Sequence, residues 1–134
     1  MNIKKSSHRD IKSTRPSETS LLSVQRRPIY LVADNIRSLH NIGSIFRTAE
    51  AAGIEKLYLT GISGKPPRKE ISKTVIGAEN NVPWEYHPDI LPVFAFFRSQ
   101  HIPVIALEHT QASTPFQEAE YCFPLCLIVG NEVD

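Results

Sequence analysis

Short apolar runs recur along this chain and constrain its fold more than any other feature. They are IYLVAD (29–34), KLYLT (56–60), VPWEY (82–86), PVIAL (103–107) and LCLIVG (125–130). Most of them are continuously apolar and do not alternate with polar residues, which is typical of strands that are covered on both faces. Segments with helical periodicity separate them. The sequence therefore predicts an α/β domain, a parallel sheet with helices on both faces.

The segment 41–52 carries the strongest helical signal. Its apolar residues fall at the spacing of one helix face: Ile42, Ile45, Phe46 and Ala49. Asn41 is expected as the N-cap or in the first turn, and Gly53 as the residue that ends the helix. Further helices are predicted over 70–75, 89–100 and 115–119.

Charge is distributed unevenly along the 134 residues. Residues 1–27 carry seven basic and two acidic side chains, a net charge of +5, whereas the whole chain has a formal charge of +1. We therefore predict a basic, partly disordered arm over 1–27 and a single folded domain over 28–134. A basic arm of this kind is typical of proteins that bind nucleic acids. It is also compatible with a solvated terminus, and both interpretations stay open at this point.

Several classes of protein are disfavoured. No apolar run is long enough to span a membrane, and the first residues lack the apolar centre of a secretory signal. Two cysteines, Cys122 and Cys126, are too few for a disulfide framework and lack the partners of a zinc site, so we expect them to pack as small apolar residues. The five histidines show no metal-ligand spacing. We therefore expect a cytoplasmic protein without a metal.

Loops at the carboxyl ends of the predicted strands are the expected ligand-binding region. Neither the glycine-rich dinucleotide fingerprint nor the phosphate-loop lysine motif is present there, which argues against an ordinary nicotinamide or nucleoside-triphosphate enzyme. Basic residues cluster in or beside the first two loops and would suit phosphate contacts: Arg37, His40, Lys65, Arg68, Lys69 and Lys73. Trp84 and Tyr86 alternate along one strand, so at least one of them is expected in the core.

Gly43 and Arg47 are unusual positions in the predicted helix. A glycine in the first turn costs about 1 kcal/mol relative to a good helix former, which suggests that something approaches the helix closely. Arg47 lies off the apolar face, and it either pairs with Glu50 on the surface or faces an anion. Glu132, in the loop after the last strand, either orients Arg47 or a hydroxyl group or is an exposed loop acid.

Three segments resemble the SpoU-type (TrmH-type) RNA ribose 2′-O-methyltransferases of the SPOUT superfamily. NIGSIFRTAEAAG (41–53) resembles the first signature motif, LIVGNEV (127–133) the second, and KEISKTVIGAENNVPWE (69–85) the stretch between them. The resemblance covers about residues 28–134. It implies an α/β knot fold, and the family's third motif and knot-forming segment have no counterpart in this chain. We therefore expect the methyltransferase domain to be C-terminally incomplete.

The resemblance also implies a reaction and a set of roles. S-adenosylmethionine would donate a methyl group to a ribose 2′-hydroxyl in tRNA or rRNA, and the protein would act as a homodimer. Arg47 would bind the adjacent phosphate and stabilise the alkoxide, with Asn41 and Glu132 holding that geometry. Leu107 and Gly130 match positions whose backbone contacts the donor's adenosine. The RNA would be contacted by basic residues of the site loops: Arg37, His40, Arg68, Lys69 and Lys73.

Two other hypotheses are compatible with the sequence. The first is a non-catalytic RNA-binding member of the same fold, which the absent third motif favours and the presence of Asn41, Arg47 and Glu132 disfavours. The second is a small-molecule enzyme on a doubly wound sheet. The missing fingerprint glycines and the basic arm disfavour it.

Overall fold

Five parallel strands form one sheet in the part of the chain that the structure describes. The structure is a computed structural model, and it describes residues 7–14, 20 and 24–131. The strands are β1 (Arg27–Asp34), β2 (Ile54–Thr60), β3 (Trp84–His87), β4 (Val104–Ala106) and β5 (Leu125–Val129). Their spatial order is β3-β2-β1-β5-β4, and every neighbouring pair is parallel. This confirms the predicted parallel sheet.

Ser20 is helical, and four α-helices and one 3-10 helix have both ends within the described residues. They are α1 (His8–Ser13), α2 (Leu39–Ala52), α3 (Lys69–Val75), the 3-10 helix Ala78–Asn80, and α4 (Leu91–Ser99). None of the helices in the described residues is long and apolar enough to cross a membrane.

The prediction of a helix over 115–119 is wrong. Residues 116–118 form a turn, in which the Glu118 N–H donates to the Pro115 carbonyl (2.9 Å). Nearly all side chains of this segment are exposed, so no packed face offsets the cost of starting a helix.

Alternation along β1 divides the core into two clusters. Ala33 joins a cluster under α2 and α3, which contains Ile42, Phe46 and Ile71. Val32 points to the other face and packs with Phe97 of α4. Helices therefore cover both faces of the sheet, as the apolar runs predicted. Trp84 and Tyr86 are half-buried and pack against the first cluster.

The ends of α2 follow local sequence signals. The Ser38 side chain caps the helix by accepting from the Asn41 N–H (3.2 Å), so Asn41 lies in the first turn and is not the cap. Gly53 ends the helix in the left-handed conformation (φ 63°), and its N–H donates to the Glu50 carbonyl (3.1 Å). The predicted role of Gly53 is confirmed.

The close approach that Gly43 suggested is to helix α3. A Cβ atom built on Gly43 would lie 1.7 Å from Thr74 Oγ1 and 3.1 Å from the Ile71 carbonyl oxygen. A side chain at this position would therefore push the two helices apart. The glycine serves helix packing, and its surroundings within the described chain fully explain it.

The two cysteines differ in environment. Cys126 is fully buried in β5, and this burial raises the pKa of its thiol to about 12. Cys122 is exposed. The expectation that both pack as small apolar residues is confirmed for Cys126 and wrong for Cys122, because the segment before β5 lies outside the core.

The end of the predicted arm lies inside the fold. β1 begins at Arg27, and the Arg27 N–H donates to the Gly53 carbonyl (2.8 Å). The half-buried Arg26 guanidinium donates to the Asn81 carbonyl (2.9 Å) and to the Ile54 carbonyl (3.3 Å). Arg26 therefore ties the start of β1 to the start of β2 and to the turn before β3.

Arg26→Ala is expected to lower the free energy of unfolding by about 1–3 kcal/mol, because two carbonyls lose a charged donor. Urea denaturation measures the change. Arg27→Ala is the matched control, since the exposed Arg27 side chain has no hydrogen bond or ion pair with any described residue. Equal losses in the two variants would show that the Arg26 contacts do not stabilise the fold.

Candidate functional site

A cavity of about 460 Å³ runs beneath α2 along β1 and β5. The strands β1 and β5 pair in parallel, and the cavity extends to their carboxyl ends, where Ile36 and Gly130 follow them. Ligands of open α/β sheets bind at such points. The lining comes from α2 (Asn41, Ser44, Ile45, Thr48), from β1 and the loop after it (Leu31, Ile36), and from β5 and its end (Leu127, Val129, Gly130).

Helical spacing explains why Asn41 faces this cavity. Asn41 shares one side of α2 with Ser44, Ile45 and Thr48, at the spacing of neighbouring turns. Gly130 follows the last residue of β5 and lines the same cavity. Two of the predicted site residues, far apart in sequence, are thus brought together.

Arg47 does not line this cavity. It lies six positions beyond Asn41, about 1.7 helical turns, and so projects from a different side of α2. Its side chain is exposed and makes no hydrogen bond or ion pair with any described residue. The ion pair with Glu50 does not form; the Asn81 side-chain amide donates to Glu50 Oε1 instead. Glu132 lies outside the described residues, so its pairing with Arg47 stays a prediction.

Leu107 and Gly130 occupy neighbouring strand ends. Leu107 follows β4, and its N–H donates to the Ile128 carbonyl of β5 (2.9 Å). The residue is 60% exposed. A Cβ atom built on Gly130 would meet no atom within 4 Å. Packing among the described residues therefore does not require a glycine here, and the backbone of Gly130 is open to a bound molecule.

Polar side chains that the sequence analysis did not single out hold the strand ends. Asp34 Oδ1 accepts from the buried Thr60 hydroxyl (2.6 Å), and Asp34 Oδ2 accepts from the Asn35 side-chain amide (3.2 Å). Asn35 Oδ1 in turn accepts from the Ile62 N–H (3.1 Å). These bonds connect the ends of β1 and β2. The Asp-Asn pair at the end of the first apolar run is the sequence signal from which these polar residues could have been predicted.

Ser63 positions the loop that leads into α2. Its buried hydroxyl accepts from the Ile36 N–H (2.8 Å) and donates to the Ala33 carbonyl (3.0 Å). The Tyr86 hydroxyl donates to the Gly61 carbonyl (2.7 Å) and extends the network to β3. The segment that leads into α2 is therefore held by Ser63 of the loop after β2, and Tyr86 of β3 supports that loop at Gly61.

The predicted RNA-contacting side chains are all exposed, and none makes an ion pair with a described residue: Arg37, His40, Arg68, Lys69 and Lys73. The first two flank the start of α2, and the other three begin α3 or lie within it. Lys65 differs from them, because its ammonium lies 4.1 Å from the centre of the Tyr86 ring. Within the described ranges, no group of acidic, histidine or cysteine side chains could hold a metal ion.

A family model described as the SpoU rRNA Methylase family matches residues 28–134. The chain belongs to this family. The match covers both segments that meet at the cavity, the start of α2 and the end of β5. It confirms the resemblance on which the sequence analysis drew.

Known proteins similar to this SpoU-family chain agree with it in fold. A tRNA (guanosine(18)-2′-O)-methyltransferase from Aquifex aeolicus is 27% identical over 114 residues, which cover 84% of this chain and 53% of that protein. A crystal structure of an A. aeolicus TrmH/SpoU tRNA modifying enzyme superposes with a TM-score of 0.73 at 25% identity, covering 87% of this chain and 61% of that one.

An AdoMet-bound rRNA methyltransferase from Sinorhizobium meliloti is similar in structure as well. It superposes with a TM-score of 0.65 at 27% identity, covering 84% of this chain and 43% of that one. The SpoU-family chain spans about half the length of the curated relatives it matches.

Ser63→Ala is expected to lower the free energy of unfolding by about 1–3 kcal/mol, because the buried Ile36 N–H loses its acceptor. Thermal or urea denaturation measures it. Ser99→Ala is the control: that exposed hydroxyl donates to the Phe96 carbonyl of its own helix and accepts from the neighbouring Gln100 side chain, so its removal should change stability little. A Ser63→Ala variant as stable as the control would exclude a supporting role for this network.

Proposed function

We propose that this protein transfers a methyl group from S-adenosylmethionine to a ribose 2′-hydroxyl of tRNA or rRNA. The observation that carries the proposal is the shared cavity of Asn41 and Gly130, which joins the first and second family motifs. Membership of the SpoU family supports the class of reaction. The names of the relatives support tRNA or rRNA as the substrate.

The strand ends fit the methyl donor. The cavity of about 460 Å³ is within the range of sites that take small molecules, about 300–1,000 Å³. Leu107 and Gly130 would hold the donor's adenosine through their backbones, and the open space at Gly130 leaves room for it. The donor, when bound, supplies an electrophilic methyl group on sulfur. In this proposal the family's third motif and knot-forming segment, which residues 1–134 do not include, complete the donor site.

Arg47 is the proposed catalytic residue. A ribose hydroxyl is a weak nucleophile at neutral pH, so the protein must orient it and stabilise the negative charge that develops on its oxygen. A guanidinium stays protonated in proteins and is a poor base. We therefore assign Arg47 to the adjacent phosphate and to the developing alkoxide. Its exposure and its lack of a described partner leave the guanidinium available for RNA.

Asn41 and Glu132 are proposed to maintain that geometry. The Asn41 side-chain amide makes no hydrogen bond with a described residue, so it is available to the reacting groups. Glu132 follows Asn131 just beyond the end of β5, and its carboxylate would orient Arg47 and Asn41. Both are positioning residues in this proposal.

The remaining expectations belong to the same proposal. The exposed cations beside α2 and α3 contact RNA phosphates, and the segment 1–27, whose last two residues lie in the fold, adds a basic arm to the domain over 28–134. The protein acts as a homodimer in the cytoplasm. Arg47 does not line the cavity of its own subunit. In a dimer, it would act at the cavity of the partner subunit.

Arg47→Ala in the full-length protein is expected to lower methyl transfer about 100- to 1,000-fold, because one charge-stabilising donor is lost from the transition state. Stability should change by less than about 0.5 kcal/mol, since the side chain is exposed. Arg47→Lys should restore little, because lysine keeps the charge and lacks the planar fork. Transfer of the methyl group from a labelled donor to tRNA or rRNA measures both variants.

Arg98→Ala is the matched control, since Arg98 is an exposed arginine of α4 on the opposite face of the sheet. Near-normal transfer by Arg47→Ala would show that its catalytic assignment is wrong. A wild-type protein that binds RNA and never transfers a methyl group would support the non-catalytic alternative.

Gly130→Ala should leave the fold intact and weaken donor binding. The new methyl group meets no described atom within 4 Å, and the φ angle of Gly130 is not in the left-handed region. A clash with a bound adenosine costs about 1–3 kcal/mol, or roughly 5- to 150-fold in affinity. Calorimetry with S-adenosylmethionine on the full-length protein measures the affinity, and a melting curve checks the fold. Unchanged affinity in a folded variant would place the donor elsewhere.

A further inference from the structure

A cavity of about 340 Å³ lies on the loop that joins β2 to α3, residues 61–68. Its lining includes Lys65, Arg68 and Tyr86. Both cations are exposed, and the tyrosine is half-buried. The loop leaves the carboxyl end of β2, which is parallel to β1 and paired with it. The cavity therefore lies on the same edge of the sheet as the proposed active site.

Hydrogen bonds to neighbouring strand ends hold the start of this loop. The Gly61 N–H donates to the His87 carbonyl (3.1 Å), and the Gly61 carbonyl accepts from the Tyr86 hydroxyl (2.7 Å). The buried Ser63 hydroxyl donates to the Ala33 carbonyl (3.0 Å). A ligand that binds to the loop does not have to order these residues, which lowers the entropic cost of binding.

Lys65 is held over an aromatic ring. Its ammonium lies 4.1 Å from the centre of the Tyr86 ring, and the hydroxyl group of that ring is bonded to the loop at Gly61. A cation–π contact restrains a lysine side chain and leaves its positive charge in place. Lys65 makes no ion pair with a described residue. Its charge is therefore positioned and has no carboxylate partner among those residues.

Lys56 provides the contrast, because it is a second lysine over a tyrosine. Its ammonium lies 5.3 Å from the centre of the Tyr58 ring and 3.1 Å from Glu85 Oε1. A protein carboxylate thus compensates the charge of Lys56. The charge of Lys65, restrained in a similar way, is available to an anion from outside the described chain.

We propose that Lys65 and Arg68 form a site for a backbone phosphate of the RNA substrate, an inference that rests on the proposed function. Lys65 supplies a point charge that Tyr86 holds in place. The Arg68 guanidinium is able to donate two parallel N–H bonds to phosphate oxygens. Tyr86 is a positioning residue in this site, because it acts through Lys65.

The charge of the segment favours an RNA strand over a neutral ligand. Residues 61–73 carry four cations and one carboxylate, that of the exposed Glu70. Phosphate contacts fix the position of a nucleic-acid strand and do not read its sequence. The site therefore aligns the RNA along the edge of the sheet and leaves the choice of nucleotide to other contacts.

The test is the salt dependence with which the full-length protein binds a fluorescent oligouridine, without methyl donor. Each phosphate contact on a single strand contributes about 0.7 to the slope of log affinity against log salt. Lys65→Gln should therefore make the slope shallower by about 0.7 and lower the affinity about 5-fold at roughly 0.1 M salt. Lys56→Gln is the matched control. It removes the same charge from a lysine that Glu85 compensates, so the slope should not change.

A comparison of two backgrounds tests the tyrosine ring. Tyr86→Phe and Tyr86→Leu both remove the hydroxyl group that bonds to Gly61, and only phenylalanine keeps a ring beneath the ammonium. Lys65→Gln should cost about 2- to 5-fold less affinity in the leucine background than in the phenylalanine background. Melting curves check that the variants are folded. The slope of Lys65→Gln in the otherwise wild-type protein decides the proposal whether or not Tyr86→Leu folds.

An unchanged slope in Lys65→Gln overturns the proposal, as does an equal change in Lys56→Gln. Equal costs in the two backgrounds overturn the role of Tyr86. Polyglutamate that displaces the probe as well as unlabelled oligouridine does would overturn a phosphodiester as the ligand. Uridine monophosphate that binds as tightly as the oligonucleotide would overturn a strand as the occupant.

Methyl transfer is measured separately, so the two proposals fail in different ways. Loss of transfer in the Arg47 variants together with an unchanged slope in Lys65→Gln refutes only this inference. A shallower slope in Lys65→Gln, in a protein that never transfers a methyl group, refutes only the proposed reaction.

Discussion

Parallel pairing of β1 with two neighbours is the constraint on which the rest of the structure depends. Leu31 pairs with Leu57 of β2 on one side and with Leu127 of β5 on the other. Because all three strands run in one direction, their carboxyl ends meet at one edge. The first family motif follows β1, and the second begins within β5 and runs past its end, so this pairing brings Asn41 and Gly130 into one cavity.

Two glycines of the site region illustrate how differently the same residue type is used. Gly43 lies against Thr74 so closely that a side chain would separate α2 from α3. Gly130 faces open space within the described residues. Packing among the described residues explains Gly43 and does not account for Gly130, which is why Gly130 is a candidate for the proposed donor site and Gly43 is not.

Local sequence patterns correctly predicted the helices and helix ends that depend on residues close together in the chain. The apolar face and the terminal Gly53 of α2 are examples, because helical spacing and a left-handed cap act over only a few residues. The segment 115–119 contained similar cap signals and formed only a turn, because nothing packs on it. Cys122 is exposed for the same reason, whereas Cys126, four positions later, lies in the core.

The sequence by itself determined the α/β class, the family motifs, and Asn41, Arg47 and Gly130 as candidate residues. Only the tertiary structure decided which of them meet: Asn41 and Gly130 share a cavity, and Arg47 projects from another side of α2. Only the structure showed that Arg26 ties the start of β1 to the start of β2 and to the turn before β3. The physical reason is distance along the chain. Strand pairing and helix packing bring these groups together across long separations, and no local pattern of residues encodes such contacts.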